Sequence, residues 1–141
     1  MRSKGQKGQS MSRGALHQIL YVEDDPDIRT VAQIALEAVG GFRLAVCASG
    51  REALDMVAGG FVPDLVLLDV MMPGMDGPTT LAALRALPSG MDIPVVFMTA
   101  KVQAGEIAHY RSLGAIGVVA KPFDPMQLAS QVRRLWEQSD A

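Results

Sequence analysis

DLVLLDVMMPGMDG, residues 64–77, decides the fold. From Leu65 to Leu68 every side chain is apolar, which suits a strand covered on both faces rather than one with a wet side. The run meets an acid at Asp69 and then gives way to PGMDG, whose Pro, Gly and Asp belong in a turn. Four more short runs share this character: HQILYV (17–22), FRLAVC (42–47), PVVFMT (94–99) and IGVVA (116–120). All are rich in branched aliphatics and bounded by Gly, Pro or Asp, as buried parallel strands are.

Between the runs the period changes from strand to helix. In PDIRTVAQIALEAVGG (26–41), Ile28, Val31, Ala32, Ala35, Leu36 and Val39 recur at the spacing of one helix face. Asp25 is placed to cap this helix, Pro26 suits its first position and Gly40-Gly41 ends it. Further helices are predicted over 50–58, 78–87, 103–113 and 125–138, the last with Leu128, Val132, Leu135 and Trp136 on one face. Five strand–helix alternations demand right-handed crossovers and helices on both sides, hence a doubly wound α/β fold with a five-stranded parallel sheet and five helices. The expected organisation is one α/β domain over residues 15–138 with no output domain after it.

The chain has 141 residues, 49% of them hydrophobic and 20% charged, a globular composition of single-domain size. No stretch reaches the roughly 18 apolar residues of a membrane span, so no membrane insertion is expected. A lone cysteine, Cys47, excludes an internal disulfide and a thiol metal cluster and points to a reducing, cytoplasmic setting. Residues 1–14 carry Arg2, Lys4, Lys7 and Arg13 with no acid, and read as a disordered basic tail. With those four set aside, nine basic side chains face fifteen acidic ones, a net of about −6 for the remainder. A surface of that sign does not suit nucleic acid phosphates, and no nucleic acid partner is expected.

In an open parallel sheet the binding crevice lies at the carboxyl ends of the strands. Glu23, Asp24 and Asp25 follow the first run, Asp69 closes the third, Thr99 ends the fourth and Lys121 follows the fifth. Carboxylates, a hydroxyl and an ammonium therefore converge on one edge. Two carboxylates about 5 Å apart repel by roughly 3 kcal/mol at an effective dielectric of about 20. Three such pairs cost on the order of 10 kcal/mol, comparable with the stability of a whole domain. Such a cluster either binds a cation or takes up protons. All-oxygen ligands with no His or Cys nearby favour Mg2+. A cation beside Thr99 and Lys121 would neutralise a phosphoryl group, and Asp69 is the carboxylate placed to accept one.

ILYVEDDPDIR (19–29), DLVLLDVMMPGMDG (64–77), VVFMTA (95–100) and VVAKPFDP (118–125), in this order and spacing, closely resemble the receiver domain of two-component response regulators. The resemblance covers residues 17 to about 138. It implies the flavodoxin-like strand order 2-1-3-4-5. It also implies Asp69 as the phosphorylated aspartate, with Mg2+ held by Asp24 directly, by Glu23 through water, by Asp69 and by the backbone carbonyl of Met71. Thr99 would bind a phosphoryl oxygen, and Lys121 would pair with Asp69 and then with the phosphoryl group, with a cis bond to Pro122. The implied donor is a phosphohistidine on a histidine kinase or a histidine phosphotransfer protein. The implied output is a changed affinity for a downstream protein target, or relay of the phosphoryl group to another histidine. Pairing of two copies through the face of the fourth helix, fifth strand and fifth helix is a further expectation from the family.

One position departs from the commoner pattern. Val118 stands where many receivers carry a Tyr or Phe three residues before the lysine, and it is too short to act as a ring rotor. Switching is expected instead through the loop after Thr99 and the face of the fourth helix, fifth strand and fifth helix. Met71 offers no side-chain help to an attacking water, and Lys101 is placed to shield the phosphoryl group, so slow self-dephosphorylation is expected.

The remaining residues carry plainer readings. Asp25 reads as a helix cap, Asp76 as a turn residue, Cys47 as a small buried hydrophobe, and His17 and His109 as solvated side chains. Met56, Met98 and Met126 read as core filling, and Arg133-Arg134 as a solvated face. Two enzyme readings compete on the same topology: a Mg2+-dependent phosphohydrolase and a flavin-binding protein. The first wants an acid/base group beside Asp69, where Val70 and Met71 stand. The second wants a Ser/Thr/Gly-rich phosphate loop after the first strand, where EDDPD stands with the opposite charge for that role. Both give way to the reading as a phosphoacceptor rather than an enzyme.

Overall fold

The computed structural model describes residues 14–139. Apart from Gly14, the basic tail lies outside the described residues. Five strands, β1 Gln18–Val22, β2 Arg43–Cys47, β3 Leu65–Asp69, β4 Val95–Thr99 and β5 Gly117–Ala120, form one sheet in the order β2-β1-β3-β4-β5. Every neighbouring pair is parallel. The helices are α1 Pro26–Ile34, α2 Gly50–Ala58, α3 Gly77–Ala86, α4 Ala104–Ser112 and α5 Leu128–Ser139.

Strand alternation divides the core in two. Leu20, Val22, Val66, Leu68, Val95 and Phe97 face α2, α3 and α4, where they meet Leu54, Leu81 and Tyr110. Ile19, Tyr21, Leu65, Leu67, Val96, Met98 and Val119 face α1 and α5, where they meet Leu36, Leu128 and Trp136. Both faces are covered, so the central strands β3 and β4 are buried at every residue, which is why their sequences are continuously apolar.

Several expectations shift by a turn. The helix after β1 ends in a π-helical turn over Ala35–Val39, whose wider winding moves Val39 out to solvent. The buried strip of α1 and this turn is consequently narrow: Ala32, Ala35 and Leu36, with Val31 also exposed. The last helix begins at Leu128, not at residue 125. The Asp124 side chain takes the N–H of Met126, and its carbonyl takes those of Gln127 and Leu128, making a separate entry turn. Met126 sits in that turn, 64% exposed, so the core reading for it is wrong, whereas Met98 is fully buried and Met56 packs against the core. Arg133 is likewise no solvated side chain. Its guanidinium lies 4.4 Å over the Phe42 ring and donates to the Gly40 carbonyl, tying α5 to the end of the first helical segment.

Two caps set the loops that face the sheet's carboxyl edge. The Asp25 carboxylate accepts the N–H groups of Asp27 and Ile28, as read from the sequence. Asp76, read as a turn residue, caps α3 by accepting from the Thr79 N–H at 2.8 Å. Gly77, next to it, donates to the Val70 carbonyl at 2.8 Å. A Cβ at Gly77 would stand 2.7 Å from the Asp69 carbonyl oxygen and 2.9 Å from the Val70 Cα, both backbone atoms that cannot step aside. Gly77→Ala is therefore expected to lower stability by about 1–3 kcal/mol in urea unfolding, through displacement of the chain that carries Asp69.

Candidate functional site

The ends of β1, β3, β4 and β5 lie along one edge, and the same alternation that sorts the core sorts the polar groups above it. Tyr21, Leu67 and Val119 point to the α1/α5 side, so the residues two positions on, Glu23, Asp69 and Lys121, continue that side at the top of the sheet. The Lys121 ammonium reaches across β4 to bridge them, 2.9 Å from Glu23 Oε1 and 3.1 Å from Asp69 Oδ1. Both acids are buried, Glu23 to 1% and Asp69 to 2% exposure. Backbone bonds hold the bearers in place: Glu23 N–H to the Cys47 carbonyl, Val70 N–H to that of Met98 and Lys121 N–H to that of Thr99. The Lys121–Pro122 bond is cis.

Asp24 sits half-exposed at the rim. It offers an oxygen that, with one each from Glu23 and Asp69, forms a group lying within 4.8 Å of one another. Asp25 is turned away into its cap, although its N–H donates to Glu23 Oε2 at 3.2 Å. Thr99 is buried at the end of β4, and its hydroxyl accepts the N–H of Lys101 at 3.1 Å. The Lys101 side chain is exposed. Met71, in the loop after β3, is 73% exposed, beside a buried Met72. Val118 is half-buried against the α2–α4 side, where the Tyr110 ring of α4 packs tilted against Phe97 with centroids 5.1 Å apart.

Two residues near the site escape the sequence reading. Arg29, on α1, directs its guanidinium at the loop that bears the acids, donating to the Glu23 carbonyl at 2.8 Å and the Asp24 carbonyl at 3.4 Å. Its position six residues after Glu23, on the first turns of a capped helix, is the signal that would have found it. Tyr21 is fully buried, and its hydroxyl has no hydrogen-bond partner among the described residues.

The charges are unbalanced. One ammonium pairs with two of the three carboxylates gathered here, Glu23 and Asp69. Burial pushes the Asp69 carboxyl up to about 6, with the Glu23 charge adding to the rise and Lys121 opposing it. Burial also works against the Lys121 ammonium, but the two carboxylates it bridges outweigh that, and its pKa is raised. The Tyr21 phenol is pushed up by burial first and then by the Glu23 and Asp69 charges. Oxygens on opposite sides of a Mg2+ stand about 4.2 Å apart, so the spacing and chemistry of Glu23, Asp24 and Asp69 fit a hard divalent cation.

A doubly wound sheet with buried acids and a bridging lysine at its carboxyl edge defines a binding module of the flavodoxin-like class, with strand order 2-1-3-4-5. Residues 19–133 match the response regulator receiver domain, and the chain belongs to that family of two-component signalling domains. It is 42% identical over 115 residues to the DNA-binding response regulator MtrA of Mycolicibacterium smegmatis, covering 82% of this chain and 48% of that one. The chain spans about half the length of the curated relatives it matches. Among solved structures it resembles the chemotaxis response regulator CheY4 of Vibrio cholerae, with a TM-score of 0.77 at 28% identity over 86% of this chain and 99% of that one. It also resembles the receiver domain of the sensor histidine kinase PA1611 from Pseudomonas aeruginosa, which has a magnesium ion coordinated in its active site cleft. There the TM-score is 0.72 at 28% identity, over 89% and 98% of the two chains.

Stability should follow these charges. The folded-state pKa of Asp69 lies above its ordinary value of 3.8, so ionising it costs the folded state and stability falls as pH rises from about 4 through 6. Without divalent ions, Asp69→Asn is expected to gain on the order of 1–3 kcal/mol at pH 7.5, a gain that fades by pH 4. Urea melts at the two pH values check this. Arg29→Ala, which strands two carbonyls of the acidic loop, is expected to cost about 1–2 kcal/mol in the same melts.

Proposed function

We propose that this domain is a phosphoacceptor switch, in which Asp69 takes a phosphoryl group from a phosphohistidine on a histidine kinase or histidine phosphotransfer protein. The observation that carries the reading is the Lys121 bridge to the buried Asp69 and Glu23, with Asp24 at its rim. Glu23, Asp24, Asp69 and the Met71 carbonyl are the proposed Mg2+ ligands, and the ion supplies positive charge for phosphoryl oxygens as they approach a carboxylate.

The transfer balances on the residues present. An Asp69 carboxylate oxygen forms the new O–P bond as the donor's N–P bond breaks, and its electron pair returns to the imidazole ring. Lys121 is already at Asp69 Oδ1 and is placed to follow the charge onto the phosphoryl oxygens. The Thr99 hydroxyl, now an acceptor for the Lys101 N–H, has a proton of its own to give to a phosphoryl oxygen, and doing so would draw the loop after β4 with it. In this reading the Thr99 loop, rather than a ring at Val118, transmits the state to α4, β5 and α5. That face, where Val118 and Leu135 stay half-buried beside an exposed Arg134, is where we place a downstream protein or a second copy of the chain.

Phosphohydrolase chemistry finds no support beside Asp69, because Val70 is a buried aliphatic and Met71 carries no proton donor. DNA binding belongs to the MtrA relative, and the acidic balance of residues 15–141 does not favour such a role for this domain's own surface. The buried thiol of Cys47, which donates to Met56 Sδ and forms no disulfide, supports a cytoplasmic setting. No helix among the described residues is long and apolar enough to cross a membrane.

Acetyl phosphate with Mg2+ is expected to add one phosphoryl mass to the wild type and none to Asp69→Asn, read by intact mass spectrometry. An Asp69→Asn protein that gains the mass would place the acceptor elsewhere. Met71→Asn, which puts an amide beside the acyl phosphate, is expected to speed its loss at least severalfold in a decay time course.

A further inference from the structure

Three successive backbone carbonyls, those of Glu23, Asp24 and Asp25, accept hydrogen bonds from one residue. The Arg29 guanidinium donates from a single nitrogen to the Glu23 carbonyl at 2.8 Å and to the Asp24 carbonyl at 3.4 Å. Its backbone N–H donates to the Asp25 carbonyl at 2.9 Å, the bond that opens α1. Successive carbonyls of an extended strand point to opposite sides, so this convergence bends the chain as it leaves β1. The bend decides where the acids that follow the strand stand.

Those acids are held in different ways. Glu23 is fixed through its carboxylate, Oε1 to the Lys121 ammonium at 2.9 Å and Oε2 to the Asp25 N–H at 3.2 Å. No hydrogen bond or ion pair holds the Asp24 carboxylate among the described residues, yet one of its oxygens lies within 4.8 Å of oxygens of Glu23 and Asp69. Its place therefore depends on the backbone that carries it, and Arg29 is the side chain that fixes that backbone. Arg29 is half-buried and pairs with no carboxylate among the described residues, where Lys121 makes both ion pairs. A guanidinium beside an acidic nest that is directed at carbonyls acts on the geometry of the loop.

We propose that Arg29 is a positioning residue for the divalent cation: by gripping the Glu23 and Asp24 carbonyls it keeps the Asp24 carboxylate beside those of Glu23 and Asp69, where one ion can meet all three. The role presupposes the cation site proposed above and names what orients the acid at its rim. Geometry and charge predict opposite signs. Removing a positive charge from the margin of the nest lowers the repulsion that Mg2+ meets and, on charge alone, tightens its binding. Releasing the loop instead lets Asp24 drift and weakens binding, and groups that orient a metal ligand commonly carry about tenfold or more in affinity.

The test is calorimetric titration of the full chain with Mg2+ at pH 7.5, well below its melting midpoint, in the wild type, Arg29→Met and Arg133→Met. Arg29→Met keeps an unbranched apolar stem and a good helix former while removing the guanidinium. Arg133→Met removes another guanidinium-to-carbonyl bond, at Gly40, and reports what a loss of stability alone does to the site. Mg2+ binding should weaken by about tenfold in Arg29→Met and hold its wild-type strength in Arg133→Met. Equal or tighter binding in Arg29→Met overturns the proposal and leaves the cation site intact. Equal weakening in both variants makes the effect one of general loosening and overturns it as well. Should Arg29→Met not fold, Arg29→Lys replaces it: the charge is kept and the planar fork is lost, so a severalfold weaker site supports the role and a wild-type affinity overturns it. A wild type that takes up no Mg2+ overturns the cation-site reading, and this role with it.

Discussion

A single ammonium, that of Lys121, is shared between two buried carboxylates at 2.9 and 3.1 Å, and the rest of the domain is arranged around that imbalance. Were the pair one-to-one, it would be an ordinary buried ion pair of modest net worth. With Glu23, Asp24 and Asp69 gathered within 4.8 Å, it is instead an under-neutralised anionic nest. Burial first and the Glu23 charge second raise the Asp69 pKa to about 6, so the imbalance adds to a rise that desolvation begins. A cation or a proton relieves it, and a site that needs relief is one that binds.

What holds such a site together is the apolar sheet beneath it. β1, β3, β4 and β5 end at one edge because parallel strands joined by right-handed crossovers must. The two hydrophobic layers, with strands β3 and β4 buried throughout, supply the stability against which the charge repulsion is set. The acids need little adjustment of their own. Glu23 is hung from the Cys47 carbonyl, its loop is drawn in by Arg29, and the chain after Asp69 is pinned by Gly77 against the Val70 carbonyl. Loops carry the chemistry, and backbone hydrogen bonds from the strands decide where those loops stand.

The sheet and the acids were readable from residue order because both rest on local, repeating signals. Continuous apolar runs such as Leu65–Leu68 report a two-sided sheet, and an acid or lysine just after each run falls at the carboxyl edge by construction of the fold. What escaped depends on side-chain reach across elements. Arg29 reads as one more charge on a helix until its guanidinium is seen against the Glu23 carbonyl. Arg133 reads as solvated until it is seen over Phe42. Tyr21 reads as one more apolar strand residue, and only its burial without a partner marks it. The π-helical turn at 35–39 and the late start of α5 escaped for a different reason. Each depends on how a helix end is seated, through Gly40 against Ala129 in one case and Asp124 against three N–H groups in the other, and a 3.6-residue period does not record that.

The acidic nest of Glu23, Asp24 and Asp69 is, in this reading, a cation site. Its most direct test is the thermal midpoint at pH 7.5 as Mg2+ is added, in the wild type and in Asp24→Asn. A ligand that binds only the folded chain raises that midpoint in proportion to its occupancy. The wild type should rise by several degrees and saturate, and Asp24→Asn should stay nearly flat. A wild-type midpoint indifferent to Mg2+, or a variant that rises as far, would contradict it.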